Sequence, residues 1–363
     1  MRERVLTGYR PTGKLHLGHW FGNLQNMLAL QDEYEAFYFV ADWHALTSEW
    51  QDPSKVATFT DEMVLDWVAA GLDPDKCVIY RQSDIPEVAE LLLYFSMVLP
   101  MSWLERTPSY KEQQQQIGDK DLSNVGFFLY PALQAADIVI MEASRVPVGE
   151  DQLPHLELSR EIVRRFNGTY EAGERGLVEP KALLAGGASG GAAADAGGAA
   201  AAGAGVGSGV GVGVGSGVGA RVPGLDGRKM SKSYGNAIFI SDPPEEIRRK
   251  AMSFMTDPAR KLKTDPGNPN ICPLHQVHKL VAPEDEIASW DSCCRAAECG
   301  CVAHKKKFAD DLVEYLTDFQ ARRRALDAKP GFAREVLEAG REKAAPIARA
   351  TIERCRALVG LEG

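Results

Sequence analysis

The chain has 363 residues, 45% of them hydrophobic and 25% charged, with a net charge of −9. That is enough apolar material for two domains with cores of their own, which excludes a wholly disordered polymer, and the acidic balance excludes a general nucleic-acid-coating protein. Fifteen of the 35 glycines fall within 185–220, beside twelve Ala, five Val, three Ser and the single charge of Asp195, with no G-X-Y period, so a collagen is excluded as well.

No run of about eighteen apolar residues suggests a membrane span. The N-terminal Met1-Arg-Glu-Arg-Val-Leu-Thr-Gly passes into strand-like sequence at once. We therefore expect no targeting segment, a cytoplasmic location and reduced cysteines. Arg4 to Thr7 reads as a short strand entering the turn Gly8-Tyr9-Arg10-Pro11-Thr12-Gly13, and a helix follows from about His19 to Tyr34. Phe37 to Ala41 and Cys77 to Tyr80 are continuous apolar runs, the mark of strands buried on both faces. Residues 55–70, Pro86 to Val98 and Gln152 to Phe166 read as helices, and Arg145 to Gly149 as a short strand ending in a turn. This alternation predicts an α/β fold: a doubly wound, Rossmann-like parallel sheet over 1–184, with ligands at the C-terminal ends of its strands.

Residues 185–220 cannot bury enough side-chain surface to offset the entropy of ordering so many glycines, and are expected to form a flexible insertion. The sheet domain resumes over 221–240. Ser241-Asp242-Pro243-Pro244-Glu245-Glu246 is a helix start, and periodicity over 304–327 and 331–358 makes 241–363 an all-helical second domain. Basic clusters occur at Arg248 to Lys250, Arg260 to Lys263, His304 to Lys307 and Arg322 to Arg324. Each is either a solvated helix face or part of a phosphate-contacting surface.

Two segments carry chemistry. Thr12-Gly13-Lys14-Leu15-His16-Leu17-Gly18-His19 lies where the first strand turns into the first helix. Gly18 allows close backbone approach, the helix N-terminus offers free N–H groups, and His16 and His19 are spaced to face the same side. By spacing alone this is either a nucleotide-binding turn or a capped helix with two surface histidines. Gly227-Arg228-Lys229-Met230-Ser231-Lys232-Ser233-Tyr234-Gly235-Asn236 gathers three cations and two serines in a short loop suited to a polyphosphate.

His16-Leu-Gly-His19 resembles the HIGH signature, and Lys229 to Ser233 reproduces the KMSKS signature, of class I aminoacyl-tRNA synthetases. Phe39 to Thr47, Tyr130 to Ile138 and Val146 to Glu157 narrow the resemblance to bacterial-type tryptophanyl-tRNA synthetases, over nearly all of 4–182 and 221–358. The resemblance implies ATP-dependent formation of tryptophanyl-adenylate with Mg²⁺, transfer to tRNA(Trp), and a homodimer. It implies ATP contacts from Arg10 (often Gln in relatives), Pro11, Thr12, Gly18, His19, Gly149, Glu150, Asp151, Val222, Lys229, Met230, Ser231, Lys232 and Ser233. His16, His19, Lys229 and Lys232 would stabilise the transition state. Asp137 would accept the indole N–H, with Gln152 and His44 in the same pocket, and 241–363 would bind the anticodon. The alternatives are a tyrosine-specific relative and a regulatory paralogue that binds the ligands without charging tRNA.

Five of the seven cysteines lie between Cys272 and Cys301. Some members of the resembled family carry an iron–sulfur cluster on a distant Cys followed by Cys-x6-Cys-x2-Cys. Cys272, Cys294 and Cys301 fit that pattern, and His304 stands in the last place. These four are either an iron–sulfur set, a Cys₃His zinc set, or free thiols left in helices.

Overall fold

The computed structural model describes residues 2–106, 122–149, 152–184 and 222–361. The 185–220 insertion and the site candidates Glu150 and Asp151 lie outside the described residues, as does the side chain of Ser233.

Five parallel strands form one sheet: β1 (Arg4–Tyr9), β2 (Glu35–Val40), β3 (Val78–Arg81), β4 (Arg145–Val148) and β5 (Lys181–Leu184), in the order β3-β2-β1-β4-β5. The chain leaves the centre in one direction and returns to build the other half, so the order reverses between β1 and β4. That is the point at which a doubly wound sheet opens a crevice at its strand ends. Side-chain alternation explains the continuous apolar runs. Val5, Tyr38, Val40 and Ile79 enter one core, whereas Leu6, Phe37, Phe39 and Tyr80 enter the other, on the opposite face. The strand β5 was not anticipated; it is an edge strand whose residues are exposed or half-buried, so it lacks an apolar run.

The crossovers are helical. The first turn α1 (Leu17–His19) continues through a π turn, Trp20–Leu24, into α2 (Gln25–Glu33). After β2 come α3 (Asp42–Glu49) and α4 (Val56–Ala70), and after β3 come α5 (Glu87–Val98) and α6 (Met101–Glu105). Then follow α7 (Val125–Phe128), α8 (Tyr130–Ile140) and, beyond β4, α9 (Leu153–Thr169). The C-terminal part is helical: α10 (Pro244–Met252), α11 (Pro273–His278), α12 (Glu284–Arg295), α13 (Cys301–Tyr315), α14 (Thr317–Asp327) and α15 (Phe332–Val359). The helical periodicity over 304–327 is divided between two helices, α13 and α14, meeting at Leu316.

The last helix departs from the expected grouping of 241–363. Ala333, Val336 and Leu337 join the core shared with the C-terminal helices, but Ala344, Ala345, Ala348, Ile352 and Cys355 join the core on the other face of the sheet. The crossing is made at Gly340, whose backbone meets β3 so closely that a Cβ there would lie 1.8 Å from the Ile79 carbonyl oxygen. α15 therefore covers the β3 edge of the sheet, which would otherwise expose unpaired backbone groups.

Candidate active site

β1 delivers the chain into the crevice at Arg10. Thr12 N–H donates to the Arg10 carbonyl at 2.8 Å, closing the turn, and Gly13 continues at φ +138°, a conformation that glycine adopts without strain. A Cβ on Gly13 would also sit 3.1 Å from Cδ of Lys232. His16 caps α1: its Nδ1 accepts from Gly18 N–H at 3.0 Å, and Nδ1 of His19 accepts in turn from His16 N–H at 3.1 Å. The two rings lie 3.7 Å apart between centroids. With both Nδ1 atoms accepting, each neutral imidazole carries its proton on Nε2, leaving two N–H donors. Burial, aided by Lys232 and Lys229, pushes His16 down to about 3. Burial and the neighbouring His16 likewise push His19 well below its ordinary range. The pair is therefore neutral at physiological pH, and Gly18 is fixed by sterics, since a Cβ would lie 2.8 Å from the His16 ring.

The basic loop is pinned to this turn. Leu17 N–H donates to the Ile238 carbonyl at 3.0 Å, and Ile240 N–H to that of Leu15 at 3.1 Å. The strand-like run Ala237 to Ile240 is spent on these contacts, with only an isolated bridge between His16 and Phe239. Lys232 Nζ donates to the Gly13 carbonyl at 2.8 Å. Burial, then Arg10, lowers the Lys232 ammonium to about 8, with Asp66 opposing. Met230 is buried, its N–H bonded to the Val222 carbonyl at 2.9 Å. Arg228, one of the three expected cations, turns away: it pairs with Asp226 and lies over the Tyr234 ring at 4.3 Å.

Asn236 holds the loop together and was not anticipated. Its Oδ1 accepts from Ser231 N–H at 2.8 Å, while its Nδ2 donates to Asp226 Oδ1 at 2.6 Å and the Lys229 carbonyl at 3.2 Å.

A second cluster lies where β2 and β3 end. His44 Nε2 is 2.9 Å from Asp137 Oδ2, and both residues are fully buried. Gln82, also unanticipated, donates from Nε2 to Asp137 Oδ1 at 2.8 Å and Oδ2 at 2.9 Å. Its Oε1 accepts from Trp43 N–H at 3.0 Å and His44 N–H at 3.3 Å. Burial raises the Asp137 carboxyl above its ordinary range, opposed by His44 and Gln82. The signal for Gln82 was available: it is the first residue after β3, at the end of the sheet where ligands bind.

Arg10 joins the two clusters. Its guanidinium donates to Ser48 Oγ, and burial lowers it to about 10 against the opposing pull of Glu49 and Tyr130. Gly149 follows β4 directly; Gln152 N–H donates to its carbonyl at 3.0 Å, and Gln152 Oε1 accepts from His155 Nδ1 at 2.9 Å.

In the C-terminal helical part, Cys272, Cys294, Cys301 and His304 line one cavity with Cys299, Thr256, Asp257, Arg260 and Gly300. Arg260 reaches Cys294 Sγ at 3.5 Å and the Cys299 carbonyl at 2.6 Å. Cys301 opens α13, so the positive end of that helix faces the thiols. Gly267 is needed beside Cys294, because a Cβ there would lie 2.4 Å from its Sγ.

Most of the basic clusters serve the fold. Arg249 pairs with Glu246, Lys250 with Asp242, and Arg323 with Asp66 and Glu62, whereas Lys261, Lys263, Lys306 and Arg324 are exposed. Among the described residues, no helix is long and apolar enough to cross a membrane.

Comparison with known proteins agrees with this geometry. Residues 2–192 and 218–317 match the family model of class I tRNA synthetases (W and Y). The chain is 41% identical over 360 residues to the tryptophan–tRNA ligase of Thermotoga maritima, covering 99% of each, and 40% identical over 394 residues to that of Ralstonia nicotianae, covering 99% of this chain and 98% of that one. Among solved structures it resembles Campylobacter jejuni tryptophanyl-tRNA synthetase complexed with ADP and tryptophan, with a TM-score of 0.81 and 30% identity over 99% of this chain and 100% of that one. With its two signature segments interlocked at the end of β1, the chain belongs to the class I tRNA synthetases, in the tryptophan–tRNA ligase family.

Proposed function

We propose that this chain activates L-tryptophan with ATP and transfers it to tRNA(Trp), and that the crevice at the end of β1 is where it does so. The observation that carries the assignment is the convergence of three donors: Nε2–H of His16, Nε2–H of His19 and the ammonium of Lys232, locked to the Gly13 carbonyl. The tryptophan carboxylate is itself the nucleophile and needs no base. It attacks the α-phosphate; the bond from that phosphorus to the bridging oxygen breaks, and pyrophosphate leaves. Preorganised N–H donors and the lysines Lys229 and Lys232 take up the charge that grows on the phosphates. The side chains around the turn are cations and neutral donors, so Mg²⁺ fits as an ion carried by the phosphates, where it neutralises charge when bound. Pro11, Thr12, Gly18, Gly149, Val222, Met230 and Ser231 line the nucleotide's path, with Arg10 beside the α-phosphate.

Asp137 accepts the indole N–H. Buried beside His44 and Gln82, its carboxylate discriminates against side chains that bring no donor, because it would then remain unpaired in an apolar pocket. Gln152 binds the ammonium side of the substrate.

Assembly as a homodimer is supported by an apolar row on α5 and α6: Leu93, Met97 and Met101 are 53%, 69% and 68% exposed. Exposed Lys261, Lys263 and Lys306 on the C-terminal helices suit an RNA backbone, consistent with anticodon binding by this part of the chain. A cytoplasmic location, where tRNA is charged, belongs to the same proposal. The Cys/His pocket suits an iron–sulfur cluster or zinc: Cys272, Cys294, Cys299, Cys301 and His304 line one cavity, where burial raises the Cys272 and Cys294 thiols and Arg260 opposes that rise at Cys294. When bound, such a group braces α11, α12 and α13.

Pyrophosphate–ATP exchange run with tryptophan and with tyrosine, followed by tRNA charging, tests the assignment. Exchange is expected with tryptophan alone. Exchange driven by tyrosine would refute the specificity, and exchange without charging would favour a regulatory paralogue.

A further inference from the structure

The fourth donor of the thiol pocket is a histidine, and which of its nitrogens faces the cavity follows from a chain of hydrogen bonds behind it. Asp311 is held ionised by Lys307, which bonds its Oδ1, so its Oδ2 accepts. His278 Nε2, 2.7 Å away, must therefore be the protonated nitrogen. In the neutral ring His278 Nδ1 is then an acceptor, and the atom facing it at 2.9 Å is His304 Nε2, which must donate. That leaves His304 Nδ1 as a bare lone pair with no hydrogen-bond partner among the described residues. The His304 ring cannot turn freely, because Trp290 stacks on it at 4.5 Å with an interplanar angle of 6°. His304 lines the cavity of Cys272, Cys294 and Cys301 and is itself buried.

We propose that the relay Asp311–His278–His304 fixes the tautomer that makes His304 Nδ1 the fourth ligand of an iron–sulfur cluster held by Cys272, Cys294 and Cys301. This rests on the reading of the pocket as a metal site. A cluster suits it better than a single ion. Tetrahedral zinc draws its sulfur ligands to about 3.8 Å of one another, given a bond of about 2.3 Å. Among the described residues, the His/Cys/Asp/Glu set whose ligand atoms all lie within 4.8 Å is instead His278, Glu286 and Asp311. Lys307 already fills that set, at 2.8 Å from Glu286 and bonded to Asp311. His275, buried edge-on to His304 at 5.6 Å, packs behind the ring and does not line the cavity. His278 is a positioning residue: its imidazole orients the ligand and touches no thiol.

The test uses the full chain purified anaerobically, with iron, sulfide and zinc contents, and pulsed EPR of the reduced protein for nitrogen coupling to the cluster. Wild type is expected to hold iron and sulfide and to show one histidine nitrogen coupling. His304→Cys should keep the iron and lose the coupling; His304→Ala should lose iron. His278→Ala should release iron to a chelator roughly 10- to 100-fold faster, the usual cost of removing a partner of a ligating histidine. In the His304→Cys background the same change should have little effect, because a thiolate has no tautomer to fix. Equal acceleration in both backgrounds would overturn the relay in favour of a packing role, and iron without nitrogen coupling would overturn the ligand assignment. Zinc in place of iron and sulfide would overturn the cluster, and a metal-free wild type would overturn the metal reading and the relay with it.

Discussion

Gln82 holds Asp137 by a single amide group, its Nε2 lying 2.8 Å from Oδ1 and 2.9 Å from Oδ2. His44 adds a third contact, to Oδ2, so Oδ1 carries the lighter load and is the oxygen left for an indole N–H. Gln82 is in turn fixed by the backbone of α3 through Trp43 and His44. Gln82→Met, which keeps the shape and removes the donor, is expected to lower kcat/KM for tryptophan about 10- to 100-fold, the range for a hydrogen bond to a charged group. The KM for ATP should stay nearly constant. Parallel loss for both substrates in steady-state exchange would place Gln82 in the fold instead of the pocket.

The lowered ammonium of Lys232 makes a signed statement about pH. Its buried site beside Arg10 brings it to about 8 in the free protein, so its charge is present below that pH and lost above it. The profile of kcat/KM for ATP, which reports the free enzyme, should fall through one ionisation as pH rises past about 8. Lys232→Arg should remove that limb even if the rate is lower, because a guanidinium stays charged. His16, held down to about 3, should give no acid limb above pH 5. An alkaline limb unchanged in Lys232→Arg would assign it to another group.

His16 has two duties that substitutions can separate. It caps α1 through Nδ1 and offers Nε2–H to the crevice. Asparagine can accept the Gly18 N–H but does not reproduce the outward donor. His16→Asn should keep the stability that His16→Ala loses, about 1 kcal/mol by urea denaturation, while both lower exchange about 10²- to 10³-fold. There is also a pH signature. With the folded pKa depressed to about 3, the unfolded chain takes up a proton between pH 6.5 and 3 that the folded chain refuses, so stability falls as pH falls through that window. His16→Asn should show a shallower fall. Identical slopes would mean that His16 is accessible to protons in the folded state.

What was legible in the sequence follows from what each signal measures. β2 and β3 were visible because strands buried on both faces carry continuous apolar runs, and β1 and β4 because each is a short strand-like segment running into a glycine-containing turn. Helix positions such as Val56–Ala70 and Phe332–Val359 were visible from period 3.6. β5 was not, since a half-exposed edge strand carries no such run. The docking of α15 was not either: Gly340 reads as a mild helix breaker until β3 is seen behind it. In the site, His16, His19 and Lys232 were legible because they sit in contiguous strings. Gln82 and the His278–Asp311 pair were not, because each completes another residue's hydrogen bonds across a large separation in sequence; Asn236 was not, because an amide that ties a loop's own backbone together looks like any loop polar residue until the loop is folded. The expected loop cation Arg228 shows the converse, a charge that neighbours in sequence made suggestive and Asp226 neutralises.

A still larger separation in sequence lies between Arg323 and Asp66, the buried pair that joins α14 to α4. Arg323 bonds Asp66 Oδ1 directly and reaches Glu62 at 2.9 Å and Asp327 at 3.0 Å. Burial nevertheless raises the Asp66 carboxyl to about 6 against the opposing pull of Arg323, so the pair is costly to desolvate and costlier to break. Arg323→Met leaves Asp66 buried without its cation and is expected to destabilise the chain by about 3–5 kcal/mol near pH 8. Adding Asp66→Asn removes the stranded charge and should recover much of that loss. The sign with pH is set by the direction of the shift. An acid whose folded pKa lies above its unfolded value gains stability as pH falls through the window between them, and loss of Arg323 raises the folded value further. The deficit of Arg323→Met should therefore be smaller at pH 5 than at pH 8 in urea denaturation. A deficit equal at both pH values, with no recovery in the double variant, would show that Arg323 acts through its aliphatic packing and not through the charge of Asp66.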